Sequence, residues 1–194
     1  MAQPLTILAQ GTEKRLQSDY YVEGYATTFD KPYLLYEFED GFKVYEEIAR
    51  DALNGADVSD VIMQYNHAGK VLARQSTNTL GLEADNHGLF TYADLSKSRA
   101  AMDMYEEISN GLIVKMSWAF TVAEESYNKD THTRRILKIK KVYDVSAVSI
   151  PANGDTDISA RSFLNGVIEE QKREALAQRR QLLKLKLEVM RNDD

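Results

Sequence analysis

The body of the chain, from about Gln17 to Ile150, reads as mostly β with a few helices. Tyr20–Phe29 (YYVEGYATTF) is rich in aromatic and β-branched residues and predicts a strand. Asp30-Lys31-Pro32-Tyr33 and Glu39-Asp40-Gly41-Phe42 predict turns. Val44–Leu53 carries Val44, Ile48 and Ala52 at helical spacing, and Asn54-Gly55 closes it, so the pattern predicts a helix. Val58–Tyr65 predicts a strand with Val61, Met63 and Tyr65 on one face, and His67 extends that face if the strand persists. Thr79–Ala84 and Gly88–Ala93 predict a hairpin about Asp85–Gly88. Ser98–Ser109 predicts a helix, with Ala101, Met104, Tyr105 and Ile108 recurring at helical spacing before Asn110-Gly111. Leu112–Val122 predicts a strand in which Met116, Trp118 and Phe120 alternate with Lys115, Ser117 and Ala119. A polar loop is expected over Glu125–Thr133, a charged strand over Arg135–Lys141, and a last strand over Lys141–Ile150, stopped by Pro151.

The pattern then changes. Leu164–Met190 lacks proline and has glycine only at Gly166; Leu164, Ile168, Ala175, Leu176, Leu183, Leu187 and Met190 fall near one stripe. This predicts an amphipathic helix that packs on the domain or on another copy. Acidic residues interleaved with basic ones argue against a membrane-surface helix. The expected organisation is an N-terminal arm (1–16), one domain (17–162) and a helical tail (163–194), and 194 residues suit that plan.

Composition narrows the chemistry. A net charge of -6 provides no field to attract nucleic acid. The absence of cysteine removes thiolate nucleophiles, cysteine-held metals and disulfides together. No apolar run approaches the roughly 18 residues of a membrane span, and the first ten residues lack a basic region and a long apolar core, so a soluble, intracellular protein is expected. Neither a phosphate-binding glycine loop nor a metal-ligand spacing among His67, His87 and Asp85 is present, so no cofactor is expected.

Three residues combine reactivity with a structured setting: His67 after a strand, Ser117 within one, and Asp144 on the last. A serine is a poor nucleophile until a base takes its proton, and a histidine suits that task. The imidazole in turn needs an acceptor on its other nitrogen. Spacing alone leaves other readings open: Ser117 as an ordinary strand residue, His67 as a loop histidine, Asp144 as a partner of Lys138, Lys140 or Lys141, or Lys115 as a base on Ser117's own face.

Five segments occur in order: Val58–Ala68 (VSDVIMQYNHA), Val71–Arg74 (VLAR), Thr79–Leu82 (TLGL), Gly111–Phe120 (GLIVKMSWAF) and Asp144–Asn153 (DVSAVSIPAN). Together they resemble the prohead serine proteases of tailed bacteriophages, over about Tyr20–Arg161. The resemblance implies an α+β fold similar to the herpesvirus assembly proteases, a mostly antiparallel β-barrel ringed by helices. It implies a serine endopeptidase that trims scaffold and major capsid protein, and itself as well, inside assembling proheads in the bacterial host cytoplasm. Carried over by position, His67 is the general base, Ser117 the nucleophile and Asp144 the third member, where many relatives carry Glu. In the herpesvirus proteases a second histidine fills that third role, for which only His87 and His132 remain here. Arg74 and Arg99 are candidates beside backbone N–H groups for the oxyanion hole. The implied partners are capsid protein and scaffold, with self-association through the C-terminal helix and no nucleic acid or membrane. The rival reading is an inactive assembly scaffold that keeps the fold and works through that helix.

Overall fold

The computed structural model describes residues 3–6, 15–149, 173, 176, 177 and 179–181. Its strands are β1 (Gln3–Thr6), β2 (Tyr21–Thr28), β3 (Tyr33–Glu37), β4 (Lys43–Ile48), β5 (Ile62–Tyr65), β6 (Ala68–Arg74), β7 (Leu80–Ala84), β8 (Gly88–Asp94), β9 (Lys115–Asn128) and β10 (Thr133–Val148), with a 3-10 turn (Gln75–Thr77) between β6 and β7 and an α-helix, α1 (Arg99–Ser109), before β9. The sheet order is β3-β4-β10-β9-β1-β2-β8-β7, and β5 pairs with β10 and β6. Edge strands β3 and β7 do not meet, so the expected closed barrel ringed by helices is replaced by an open, mostly antiparallel sheet with α1 as the one α-helix within residues 15–149. The six described residues beyond 149 are helical, and the rest of the predicted tail helix lies outside the described residues.

β10 organises the molecule. Along one side it pairs antiparallel with β9. Along the other it pairs parallel with β4 at Thr133–Ile136 and parallel with β5 at Asp144–Ala147. Between these two partners a single parallel bridge to Asp57 takes up its edge, with Asp57 N–H donating to Lys140 O and Val142 N–H to Asp57 O, both at 2.9 Å. Lys141 Nζ reaches Asp57 Oδ2 at 2.7 Å, and hydrogen bonds from Lys141 and Ser59 hold the Asp57 carboxyl below the usual carboxylate range.

Three sequence expectations are corrected. Val44–Leu53 is not a helix: β4 occupies its first half and turns the rest. Val44 and Ile48 fit a period of 3.6 and a period of two equally well, and neighbours on both sides of β4 select the extended form. Glu46 is thereby turned inward, a position that the polar residue type hides. The expected polar loop at Glu125–Thr133 is largely strand, because β9 runs on to Asn128. The two strands expected over Arg135–Ile150 are one strand with register shifts. The turn at Glu39–Phe42, the hairpin about Asp85–Gly88 and the helix at Ser98–Ser109 form, while Asp30–Tyr33 has a bend at Asp30 and runs into β3. Ser98 Oγ caps the helix by accepting from Ala101 N–H, and Ala101, Met104 and Ile108 are its buried face.

Met116, Trp118 and Phe120 from β9 are buried with Val145 and Ala147 from β10 and Val22, Ala26, Leu89 and Ala93 from β2 and β8 in one apolar cluster. Burial of each large side chain contributes about 1.5–3 kcal/mol. The cluster fixes which face of β9 and β10 points inward, and so which residues face the other way.

At the far end of β10 an ion network is sealed in. Arg134 and Glu46 are 1% exposed, and they oppose each other across the β10–β4 pairing. Arg134 Nη1 donates to Glu46 Oε2 at 2.7 Å; its Nε and Nη2 both donate to Glu125 Oε2, at 2.8 and 2.5 Å, and the Tyr33 hydroxyl also bonds Glu46. Removing one member leaves a buried uncompensated charge. Arg134→Ala is therefore expected to lower the unfolding free energy by about 3–5 kcal/mol. Urea titration checks this; a loss below about 1 kcal/mol contradicts it.

Candidate active site

β9 presents Ser117 and Ala119 on the face opposite Met116, Trp118 and Phe120. Strict alternation along β10 would place Asp144 with Val142 on the apolar side. The register prevents this. Val142 opposes Phe120, but Asp144 opposes Ala119, so one extra residue, Tyr143, is inserted in β10. A one-residue bulge transfers everything after it to the other face. Ser146 then opposes Ser117 directly. Directly opposed residues share a face with Cα atoms about 4.5–5.5 Å apart, so Ser117, Ser146 and Asp144 stand together.

His67 arrives from the other side of β10. Gln64 opposes Ser146 and Tyr65 opposes Ala147, and β5 ends there. The expected continuation of the Val61–Tyr65 face to His67 does not occur, and the strand itself begins at Ile62 rather than Val58. Instead Asn66 and His67 are the two central residues of a tight turn closed by the Tyr65–Ala68 pair, with φ of 49° and 56°. This is the geometry of a two-residue hairpin whose twist matches the strands it joins. Asn and His tolerate it better than most side chains.

Three contacts from β10 and its end hold this turn. Asn66 N–H donates to Ala147 O at 3.0 Å, His67 N–H donates to Ser146 Oγ at 3.2 Å, and Ser149 N–H donates to Asn66 Oδ1 at 3.2 Å. The imidazole thereby reaches the carboxylate: His67 Nδ1 and Asp144 Oδ1 are 2.8 Å apart, with side chains 13% and 9% exposed. A carboxylate only accepts, so in the neutral ring this contact puts the proton on Nδ1 and the lone pair on Nε2. Asp144 Oδ1 also accepts from Ser146 Oγ at 2.8 Å.

The structure thus joins His67 to Asp144 and places Ser117 on their face. Among the described residues no hydrogen bond links the Ser117 hydroxyl to the His67 ring, so the expected direct contact of nucleophile and base is not formed in this state. Such bonds are often long before substrate binds. Ser117 is 7% exposed and supported by a strand paired along its length with β10.

The alternatives go elsewhere. His87 packs edge-on against Tyr25, and His132 lies against Phe42 and Tyr127. Arg74 pairs with Asp60 at 2.5 Å and Arg99 with Asp103 at 2.9 Å, each on the surface. Lys115 opposes Val148, two residues along the same face from Ser117. Sequence reasoning gave no part to Ser146 or Ser149. The Asp144-Val145-Ser146 spacing carried a signal for the first, since residues two apart on a strand share a face.

Residues 9–171 match the family model described as caudovirus prohead serine protease. The chain belongs to that family. It is thus placed among the serine peptidases of phage capsid maturation, which work with capsid components in assembling proheads. No curated protein and no solved structure matches the chain. No helix among the described residues is long and apolar enough to cross a membrane.

The turn yields a direct test. Asn66→Ala puts an alanine at φ 49° and removes the bond from Ser149. The left-handed backbone alone costs about 1–2 kcal/mol. Urea unfolding of the variant is expected to show at least that loss; a change below about 0.5 kcal/mol means that the turn is not strained as described.

Proposed function

We propose that this prohead protease is a serine endopeptidase in which Ser117 is the nucleophile, His67 the general base and Asp144 the residue that orients the base and stabilises its protonated form. The observation that carries this reading is the 2.8 Å contact of His67 Nδ1 with Asp144 Oδ1 on the face that presents Ser117. An imidazole held at Nδ1 by a carboxylate has its Nε2 ready to take a proton.

Ser117 Oγ attacks the scissile carbonyl carbon while its proton passes to His67 Nε2. The C=O π electrons move to the carbonyl oxygen, where backbone N–H groups stabilise the oxyanion. As the intermediate collapses, the C–N bond breaks and the leaving amine takes the proton from His67. Water then attacks the acyl-enzyme, giving a proton to the same nitrogen, and the Ser117 oxygen recovers it on release. Asp144 stabilises the imidazolium in both halves.

The substrates in this reading are scaffold and major capsid protein within the prohead of the host cell, and the protease's own chain. The tail from residue 163, for which the sequence predicts a helix, holds the enzyme in the shell through helix–helix contacts, as amphipathic stripes commonly do. The rival, an inactive scaffold of the same fold, does not need the His67–Asp144 pair.

Co-expression with the major capsid protein, followed by mass spectrometry of its termini, separates the two. Ser117→Ala is expected to leave the capsid protein at full length. Asp144→Asn is expected to slow processing on the order of 10³–10⁴-fold, since the amide favours the wrong tautomer. Processing by Ser117→Ala at the parental rate overturns the enzyme reading in favour of the scaffold.

A further inference from the structure

Ser146 lies at the centre of the site and has no part in the bond-making steps. Its side chain is fully buried, at 0% exposure. A hydroxyl has one donor and two acceptor positions. Here the O–H donates to Asp144 Oδ1 at 2.8 Å, and the oxygen accepts the backbone N–H of His67 at 3.2 Å. One side chain thus ties the carboxylate of the third member to the main chain of the base. It also stands directly opposite Ser117 in the β9–β10 register.

We propose that Ser146 is a positioning residue for the His67–Asp144 pair, a role that rests on the serine-peptidase reading. Three freedoms would otherwise blur the contact. The Asp144 carboxylate rotates about its terminal torsion. The Asn66–His67 turn pivots about its Tyr65–Ala68 closure. The imidazole rotates about its own torsions. Ser146 restrains the first two with one oxygen. Asp144 Oδ1 receives both His67 Nδ1 and Ser146 Oγ, so the two bonds fix the direction in which that oxygen's lone pairs point. The His67 N–H bond fixes the height of the turn above β10. Ser146 itself is ill suited to attack a substrate, since it is enclosed and its proton is committed to Asp144.

Displacement of a catalytic group by about 1 Å can cost on the order of 10²-fold in rate. The loss falls on the chemical step and leaves the binding surface unchanged. Ser146→Cys is nearly isosteric and keeps the packing, while its thiol is a weak donor and acceptor. Ser146→Thr keeps the hydroxyl.

The test is the labelling rate of the full-length protein by a fluorophosphonate probe, resolved into a limiting rate and a half-saturating concentration, with thermal unfolding run in parallel. Ser146→Cys, and Ser146→Ala where it folds, are expected to lower the limiting rate at least tenfold and to change the half-saturating concentration by less than about threefold. Ser146→Thr is expected to recover most of the rate. Equal limiting rates in the parent and a folded Ser146→Cys, with Ser117→Ala unlabelled, overturn the positioning role and leave the proposed function standing. Labelling of Ser117→Ala at the parental rate, or no labelling of the parent, overturns the proposed function itself.

Discussion

One inserted residue in β10 governs the candidate site. Tyr143 is taken up between the Val142–Phe120 and Asp144–Ala119 pairs. Before it, inward-facing β10 side chains belong to the apolar cluster; after it, Asp144 and Ser146 share the face of Ser117. Without the bulge a charged carboxylate would be directed among Trp118, Phe120 and Val142. That arrangement costs several kcal/mol for an unpaired ion. The bulge thus solves a burial problem and builds a constellation at once. Its cost is an extra twist and one residue, Tyr143, left half exposed.

The second constraint is the choice of partner on the other edge of β10. The parallel pairing with β5 is only four residues long, and it delivers a tight turn to the carboxylate. An aspartate carries its carboxylate on a single methylene, yet the contact with the ring is made at 2.8 Å. The turn compensates for the short side chain because it is drawn down onto β10 by bonds to Ala147 O and Ser146 Oγ. The positive φ at Asn66 and His67 stores local strain, and these bonds, with the Ser149–Asn66 pair, offset it. A histidine on a turn pinned at several points is held more firmly than one on a free loop.

How far this could be read in advance depended on the range of the signal. The Glu39–Phe42 turn, the Asp85–Gly88 hairpin and the Ser98 cap are local, and they are as the residues suggest. The three candidate site residues were named through motifs in order, and the fold brings two of them, His67 and Asp144, into contact. What stayed hidden is non-local. Val44 and Ile48 satisfy both periods, so only the pairing of β4 with β3 and β10 decides its form. The inward turn of Glu46 depends on Arg134, 88 residues away along the chain. A bulge leaves no mark in composition, so the face of Asp144 could not be read from alternation. The closed barrel implied by resemblance does not appear among the described residues, where β3 and β7 end the sheet and do not pair with each other.

The central claim is that Asp144 fixes the tautomer of His67 and so leaves the Nε2 lone pair free to take a proton. Nitrogen-15 NMR of the histidine ring reads this directly in the free protein. The account predicts that His67 is protonated at Nδ1 when neutral, with a slowly exchanging, downfield-shifted Nδ1 proton that is lost in Asp144→Ala. A His67 ring protonated at Nε2, or an Nδ1 proton unaffected by that substitution, would contradict it.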